Sequence, residues 1–358
     1  SLTKSERKNH REIGEQKMIR LRYGGKGRTV AFFASAVVLA TVLAACGSST
    51  SSSSSTTKSA SKSSGKNLSI AYVPGATGVA FYTSLADGMH AEATKLGMSF
   101  SYQGSPDFSP SAQTPVVNGV CTRHPSALVI SPTDPVALAP AVDNCLNAGI
   151  PVLTTDTTLQ DASRITSQIT TNNLQGGQLA ADFIGQKLNG SGEVAILSIS
   201  ATATTQVLRE QGFENELKAK YPNIKVVAVQ VTAQSVSAST SAINSIILAH
   251  PGIKAVYSVS GTGAEGTAAA FAANGDKGKV LNVGFDAGPT TVKLLKSGGI
   301  DATVAQNPTE EGTLAAEYAY DYLTGKKSSI KAKVQLNDLL ITSADANNPS
   351  YTKYFYKV

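Results

Sequence analysis

Ile70-Ala71-Tyr72-Val73-Pro74-Gly75-Ala76-Thr77-Gly78-Val79-Ala80-Phe81-Tyr82-Thr83-Ser84-Leu85-Ala86-Asp87-Gly88 carries the plan of this chain. An apolar run from Leu68 to Val73 reads as a buried strand. Pro74-Gly75 stops it, because proline offers no N–H and glycine favours a turn. A short loop through Gly78 follows, and Thr83–Leu96 reads as an amphipathic helix. Strand, glycine loop and helix in that order open a parallel βαβ unit.

The same alternation continues outward to the end of the body. Further strands are expected at Ser99–Gln103, Ala127–Ser131, Pro151–Thr155, Val194–Ile199, Val226–Val231, Ala255–Val259, Val280–Phe285 and Ala302–Ala305. Helices are expected at Val136–Ala148, Gly176–Leu188, Val207–Ala219 and Thr309–Leu323. The class is therefore α/β, with parallel sheets covered on both faces. A faint repeat divides it. His124-Pro125 and His250-Pro251 each end a helix before a buried strand, since the residue before proline disfavours the helical region. Two similar lobes explain this better than one long sheet.

In such sheets ligands bind outside the carboxyl ends of the strands. Those positions hold Phe81 and Tyr82 after the first strand and Asp156-Thr157 after the fourth. In the second half they hold Ser260-Gly261, Asp286 and Gln306-Asn307. Carboxylates and amides orient a small polar ligand, and rings supply flat apolar area. Each Asp has a second reading as a helix N-cap, and Asp286 could serve both roles.

Upstream, Lys17, Arg20, Arg22, Lys26 and Arg28 precede an uncharged apolar run, Thr29–Ala45. This is the layout of an export signal, with Met18 the expected start. The run is short for a membrane span of about 20 residues. It ends Leu43-Ala44-Ala45-Cys46-Gly47, which resembles a bacterial lipobox, so lipidation at Cys46 and removal of residues 1–45 are expected. Residues 46–66 form a Ser-rich tether that cannot bury a core. The leader also explains the net charge of +6: residues 1–66 hold 12 Lys/Arg against 3 Asp/Glu, leaving 19 against 22 in the body. With no basic stripe in the body, nucleic acid is not an expected partner.

The ordered set of segments resembles the type-1 periplasmic binding proteins, in particular the ribose/galactose-type sugar-binding lipoproteins of ABC importers. The segments are Ile70–Gly88, SPTDPVALAPAV, AGIPVLTTD, NNLQGGQLAADFI, VGFD and ATVAQNP. The resemblance implies two Rossmann-like lobes joined by a three-strand hinge, with crossings near Thr171–Asn172, Gln306 and Lys333–Leu340. It implies a first lobe of 67–171 with 307–332, a second of 172–305 with 333–342, and a tail, 343–358. Phe81 and Tyr82 would lie against a sugar ring, with Asp156, Asp286 and Gln306 as polar contacts. Thr157 and Ser260 stand where the family has Arg and Asn. A ligand arginine of the second lobe falls at about Val207, with Arg209 nearby, and Val79 stands where the family has a polar residue in the first loop. Loss of both arginines removes forked donors to several hydroxyls, so ribose itself is not expected, and the implied ligand is a different sugar, a polyol or another small polar molecule. The implied partners are an ABC permease and, through the lipid, the membrane. A monomer without cofactor, metal or enzymatic activity is expected.

Gly261-Thr262-Gly263-Ala264-Glu265-Gly266 opens a helix after a strand, with Asp286 20 residues beyond the last glycine. This is the dinucleotide fingerprint in spacing and context, so an NAD-dependent oxidoreductase is the alternative. A hydrolase has no G-x-S-x-G elbow to support it, and no His/Cys group has metal-ligand spacing. Cys121 and Cys145, on helices flanking one strand, would meet an oxidising environment after export and pair as a disulfide.

Overall fold

The computed structural model describes residues 67–356, so the signal, Cys46 and the Ser-rich tether lie outside it. The first half runs β1 (Ser69–Val73), α1 (Ala80–Lys95), β2 (Ser99–Tyr102), α2 (Pro110–Thr122), β3 (Ala127–Ile130), α3 (Ala139–Asn147), β4 (Val152–Thr155) and β5 (Ser167–Thr171). The second runs α4 (Asn173–Lys187), β6 (Ser191–Ser198), α5 (Thr204–Lys220), β7 (Asn223–Val231), α6 (Val236–Ala249), β8 (Ile253–Ser258), α7 (Gly261–Asn274), β9 (Leu281–Phe285), α8 (Pro289–Lys296) and β10 (Ala302–Ala305). The chain then returns through α9 (Pro308–Leu323), β11 (Lys333–Leu336) and β12 (Leu339–Thr342).

Two six-stranded sheets result, ordered β11-β5-β4-β3-β1-β2 and β12-β10-β9-β8-β6-β7. The orders are equivalent, which is what the His-Pro repeat foreshadows: one marks the α2–β3 junction and the other α6–β8. All pairings are parallel except β10 with β12. Interior strands such as β3, β4 and β10 are buried along their whole length, as parallel strands covered on both faces must be. Along β1, Ile70 and Tyr72 face one apolar cluster while Ala71 and Val73 face another, the two-residue period of a strand.

The lobes also share a packing device. A Cβ on Gly312 of α9 would lie 2.0 Å from the Leu85 carbonyl of α1, and one on Gly88 would lie 2.2 Å from that of Thr309. In the second lobe Gly177 and Gly212 make the matching contact, each 2.1 Å from a backbone oxygen of α5 or α4. No side chain fits there, so each helix backbone sits directly on its neighbour.

The chain crosses between the lobes after β5, after β10 and between β11 and β12. The domain boundary expected at Lys333 moves accordingly. Lys333–Leu336 pairs in register with Gln168–Thr171 of β5, so backbone hydrogen bonds place β11 in the first lobe, and only β12 belongs to the second. β5 itself, SQITT, is too polar to have been expected as a strand. It is buried because β4 and β11 flank it.

Cys121 on α2 and Cys145 on α3 face each other with Cα atoms 5.1 Å apart, inside the span of a disulfide. We propose that they are bonded. Thiol titration of unfolded, unreduced residues 67–358 should find no reactive thiol. Two would reject the bridge, whose loss should cost about 3 kcal/mol.

Candidate ligand-binding site

The loops after β1 and β4 of the first lobe, and after β6, β8 and β9 of the second, converge on a cavity of about 260 Å³. The loop after β1 brings Phe81 and Tyr82 into it, edge to face with ring centroids 5.3 Å apart. Gly75 makes room for Tyr82 and Phe108: a Cβ there would meet the Tyr82 hydroxyl at 2.4 Å and the Phe108 ring at 2.7 Å. Tyr82 donates to Asp156 Oδ2 at 2.8 Å.

The two carboxylates are set up alike. Asp156 follows β4 with φ 61°, and Asp286 follows β9 with φ 73°. Both are in the left-handed region, which a non-glycine residue occupies only when its surroundings hold it there. The holding contacts correspond. Thr170 Oγ1 donates to the Asp156 carbonyl at 2.5 Å, and Thr303 Oγ1 to the Asp286 carbonyl at 2.6 Å. The Asp156 N–H donates to Glu311 Oε2, and the Asp286 N–H to the Val304 carbonyl. Asp156 is followed by β5 rather than a helix, and Asp286 does not cap α8. Ser260 caps α7 and Gly288 precedes α8, whereas Asp286 Oδ2 accepts from the Gly261 N–H at the start of α7.

Gln306 lies at the second crossing. Its Nε2 donates to Asp286 Oδ1 at 2.6 Å, and its Oε1 accepts from Thr171 Oγ1 of the first crossing at 2.8 Å. The cavity orientation is thereby tied to the hinge. Ser260 also lines the cavity. Thr157 does not: it is buried, its hydroxyl has no partner, and the lining passes from Asp156 to the second lobe.

The phase of α5 decides between Val207 and Arg209. Val207 is 42% exposed, while Arg209 is buried and lines the cavity. The buried residues of α5 fall at Thr205, Gln206, Arg209, Gly212, Phe213, Glu216 and Leu217, a single helical stripe with Val207 off it. That phase, visible in the sequence, selects Arg209. Its Nε donates to Asn173 Oδ1 and its Nη1 to the Val259 carbonyl, and its guanidinium lies 3.6 Å from the Phe285 ring centre. Glu265 of α7 and Tyr356 also line the cavity and were not expected.

The acids here are strained electrostatically. Burial pushes Asp156 up to about 6, against the nearby Arg209 and the Tyr82 hydrogen bond. Burial, then the charge of Asp156, pushes Glu311 well above the usual carboxylate range. Burial does the same to Asp338 between β11 and β12, where both carboxylate oxygens lack a hydrogen-bond partner among the described residues. All three bind protons more tightly folded than unfolded. Their stabilising contribution is complete below the unfolded value near 4 and is lost as pH rises through the raised folded values, about 6 for Asp156. For Asp156 alone this is roughly 3 kcal/mol. Thermal unfolding without added ligand should therefore give a higher midpoint at pH 5 than at pH 8. Asp338→Asn should raise the pH 8 value and flatten the profile.

The dinucleotide reading fails on the same geometry. Asp286 already places its carboxylate at the N-terminus of α7, where a pyrophosphate would need to sit. Gly266 packs against α6, its would-be Cβ 2.5 Å from Ser239, and Gly263 packs against Ser258 of β8. These glycines serve helix packing.

Comparison with known proteins agrees with this arrangement. The chain is 32% identical to the ribose import binding protein of Bacillus subtilis (strain 168) over 258 residues, 72% of this chain and 82% of that protein. It superposes with a TM-score of 0.78 on an ABC transporter solute-binding protein from Agrobacterium vitis bound to α-D-tagatopyranose, at 31% identity, covering 81% of this chain and all of that one. A carbohydrate transporter solute-binding protein from Agrobacterium radiobacter in complex with D-arabinose matches with a TM-score of 0.77 at 27% identity, covering 82% and 100%. The family model described as a periplasmic binding protein domain matches residues 70–327. With two lobes of equivalent topology and one cavity lined by both, this chain belongs to the periplasmic binding protein family.

Proposed function

We propose that this chain is the substrate-binding component of an ABC importer, which holds a monosaccharide or similar small polar molecule between its lobes without altering it. The observation that carries the reading is the pairing of Asp156 and Asp286. One carboxylate from each lobe, each locked by its own backbone contacts, lines the same cavity beside Phe81 and Tyr82. Carboxylates and amides accept and donate to hydroxyls, and the rings cover the apolar face of a sugar. The relatives named above bind ribose, tagatose and arabinose by their descriptions. A cavity of about 260 Å³ lies just below the ~300–1,000 Å³ range of drug-sized sites, which favours a single sugar unit over an oligosaccharide.

A ligand that touches both lobes stabilises only the closed form, and hinge closure of this kind is characteristic of the family. The closed form would be read by a membrane permease. The leader supports a place outside the cytoplasmic membrane, with the mature protein a monomer tethered through lipid on Cys46. Cys46→Ser should release the protein from membranes or leave an uncleaved precursor, as membrane fractionation would reveal.

The decisive experiment is mass spectrometry of small molecules released from purified residues 67–358, followed by calorimetric titration with D-ribose, D-arabinose and D-tagatose. One-to-one binding with the sugar recovered unchanged is expected. Conversion of the sugar, or no carbohydrate among released or titrated compounds, would reject the reading.

A further inference from the structure

We infer that Tyr356, delivered by the stretch after β12, is a working part of the ligand site, which it shapes by holding Asp286 and closing the wall against Phe81. The inference deepens the binding reading above and rests on it. The stretch, expected only as a tail, belongs to neither sheet and lies beyond the 70–327 match.

Its path is nonetheless fixed. Thr342 Oγ1 donates to Asp345 Oδ2 at 2.6 Å, the Ser343 N–H donates to the Asp301 carbonyl, and Ala346 is buried. A 3-10 turn, Pro349–Tyr354, is capped by Asn348. The Tyr356 N–H then donates to the Ala287 carbonyl at 3.0 Å. That bond sets the side chain beside Asp286, where its hydroxyl donates to Oδ1 at 2.9 Å. The ring meets Phe81 edge-on, centroids 5.8 Å apart at 70°. One buried residue thus touches the carboxylate of the second lobe and the aromatic wall of the first.

The chemistry follows from the count of acceptors. An ionised carboxylate offers about four lone-pair positions. Gln306, Tyr356 and Gly261 occupy three at Asp286, so the fourth has a fixed direction. Burial and the charge of Asp286 push the Tyr356 phenol well above its ordinary value. It stays a donor to Asp286, and its oxygen remains an acceptor. Tyr356 and Asp286 then present two adjacent acceptors, which suit two neighbouring hydroxyls of a vicinal diol.

The test is calorimetric titration of wild-type, Tyr356→Phe and Tyr356→Ala protein with D-ribose, D-arabinose and D-tagatose. Tyr356→Phe keeps the ring and should weaken binding about tenfold. Tyr356→Ala, which also loses the Phe81 contact, should weaken it further. In an Asp286→Asn background Tyr356→Phe should have little added effect, a coupling that a purely structural role would not produce. Wild-type affinity in both single variants would overturn the inference. If the wild-type protein binds none of the three sugars, the failure belongs to the binding reading, and a second measurement judges Tyr356. The chain has no Trp, so Tyr356→Trp is a unique probe. Its emission should be blue-shifted and shielded from acrylamide, with Thr352→Trp as the exposed control. An exposed probe at position 356 would overturn the inference without any ligand.

Discussion

Asp286→Ala is expected to lower sugar affinity by two orders of magnitude or more, with Asp156→Ala close behind. A hydrogen bond to a charged group contributes about 1.5–3 kcal/mol, roughly ten- to 150-fold in affinity. At Asp286 more is lost, because Gln306, Tyr356 and the Gly261 N–H are left without their acceptor. At Asp156 the Tyr82 hydroxyl alone is stranded. The backbone complicates an alanine at φ 73°, which costs of order 1 kcal/mol or more. Asp286→Asn removes that ambiguity, since Asn tolerates the left-handed region and keeps the shape. Calorimetric titration with the sugar that binds wild type gives the affinities. Small-angle scattering should show that sugar compacts wild type and no longer compacts the Asp286 variants. Asp143→Ala, exposed on α3, should bind as wild type does. Unchanged affinity in both the Asp156 and Asp286 variants would remove them from the site.

The second large effect is on stability. Arg209 is the buried cation among the described residues, set among Asp156, Glu311 and Asp338. Arg209→Ala leaves those acids uncompensated and empties two hydrogen bonds and the stack on Phe285. Removing one partner of a buried charge group costs about 3–5 kcal/mol, a fall of roughly 10 °C in the unfolding midpoint for a chain of this size. The loss should be largest at pH 8 and shrink at pH 5, where protonation neutralises part of the uncompensated charge. Arg209→Lys should recover only part of the deficit, because an ammonium cannot reproduce the planar fork or the stack. Circular dichroism melts at the two pH values measure this. A pH-independent deficit under about 1 kcal/mol would mean that Arg209 does not balance these acids.

Features that rest on short-range sterics and periodicity were legible along the chain. The Pro-Gly stop after Val73, the His-Pro helix ends and the apolar runs of β3 and β4 are local, and they were enough for two α/β lobes. Asp156 and Asp286 were legible for the same reason, since position at a strand end is a local property. Arg209 was legible in principle, through the buried stripe of α5, but required the helix phase to be set correctly. The rest depended on partners far along the chain. Lys333–Leu336 alternates polar and apolar residues, a pattern that suits an edge strand of either sheet, and its hydrogen bonds to β5 alone decide its lobe. The glycines of Gly261–Gly266 carry the same letters whether they cradle a phosphate or admit α6; the position of Asp286 and the packing of α6 choose. Glu311 reaches Asp156 across 155 residues and Tyr356 reaches Asp286 across 70. A single acid or tyrosine has no periodicity to announce such a contact. Only the tertiary structure brings these groups together, because the hydrogen bonds and charge interactions that give them a role exist only once both sheets and the returning chain are in place.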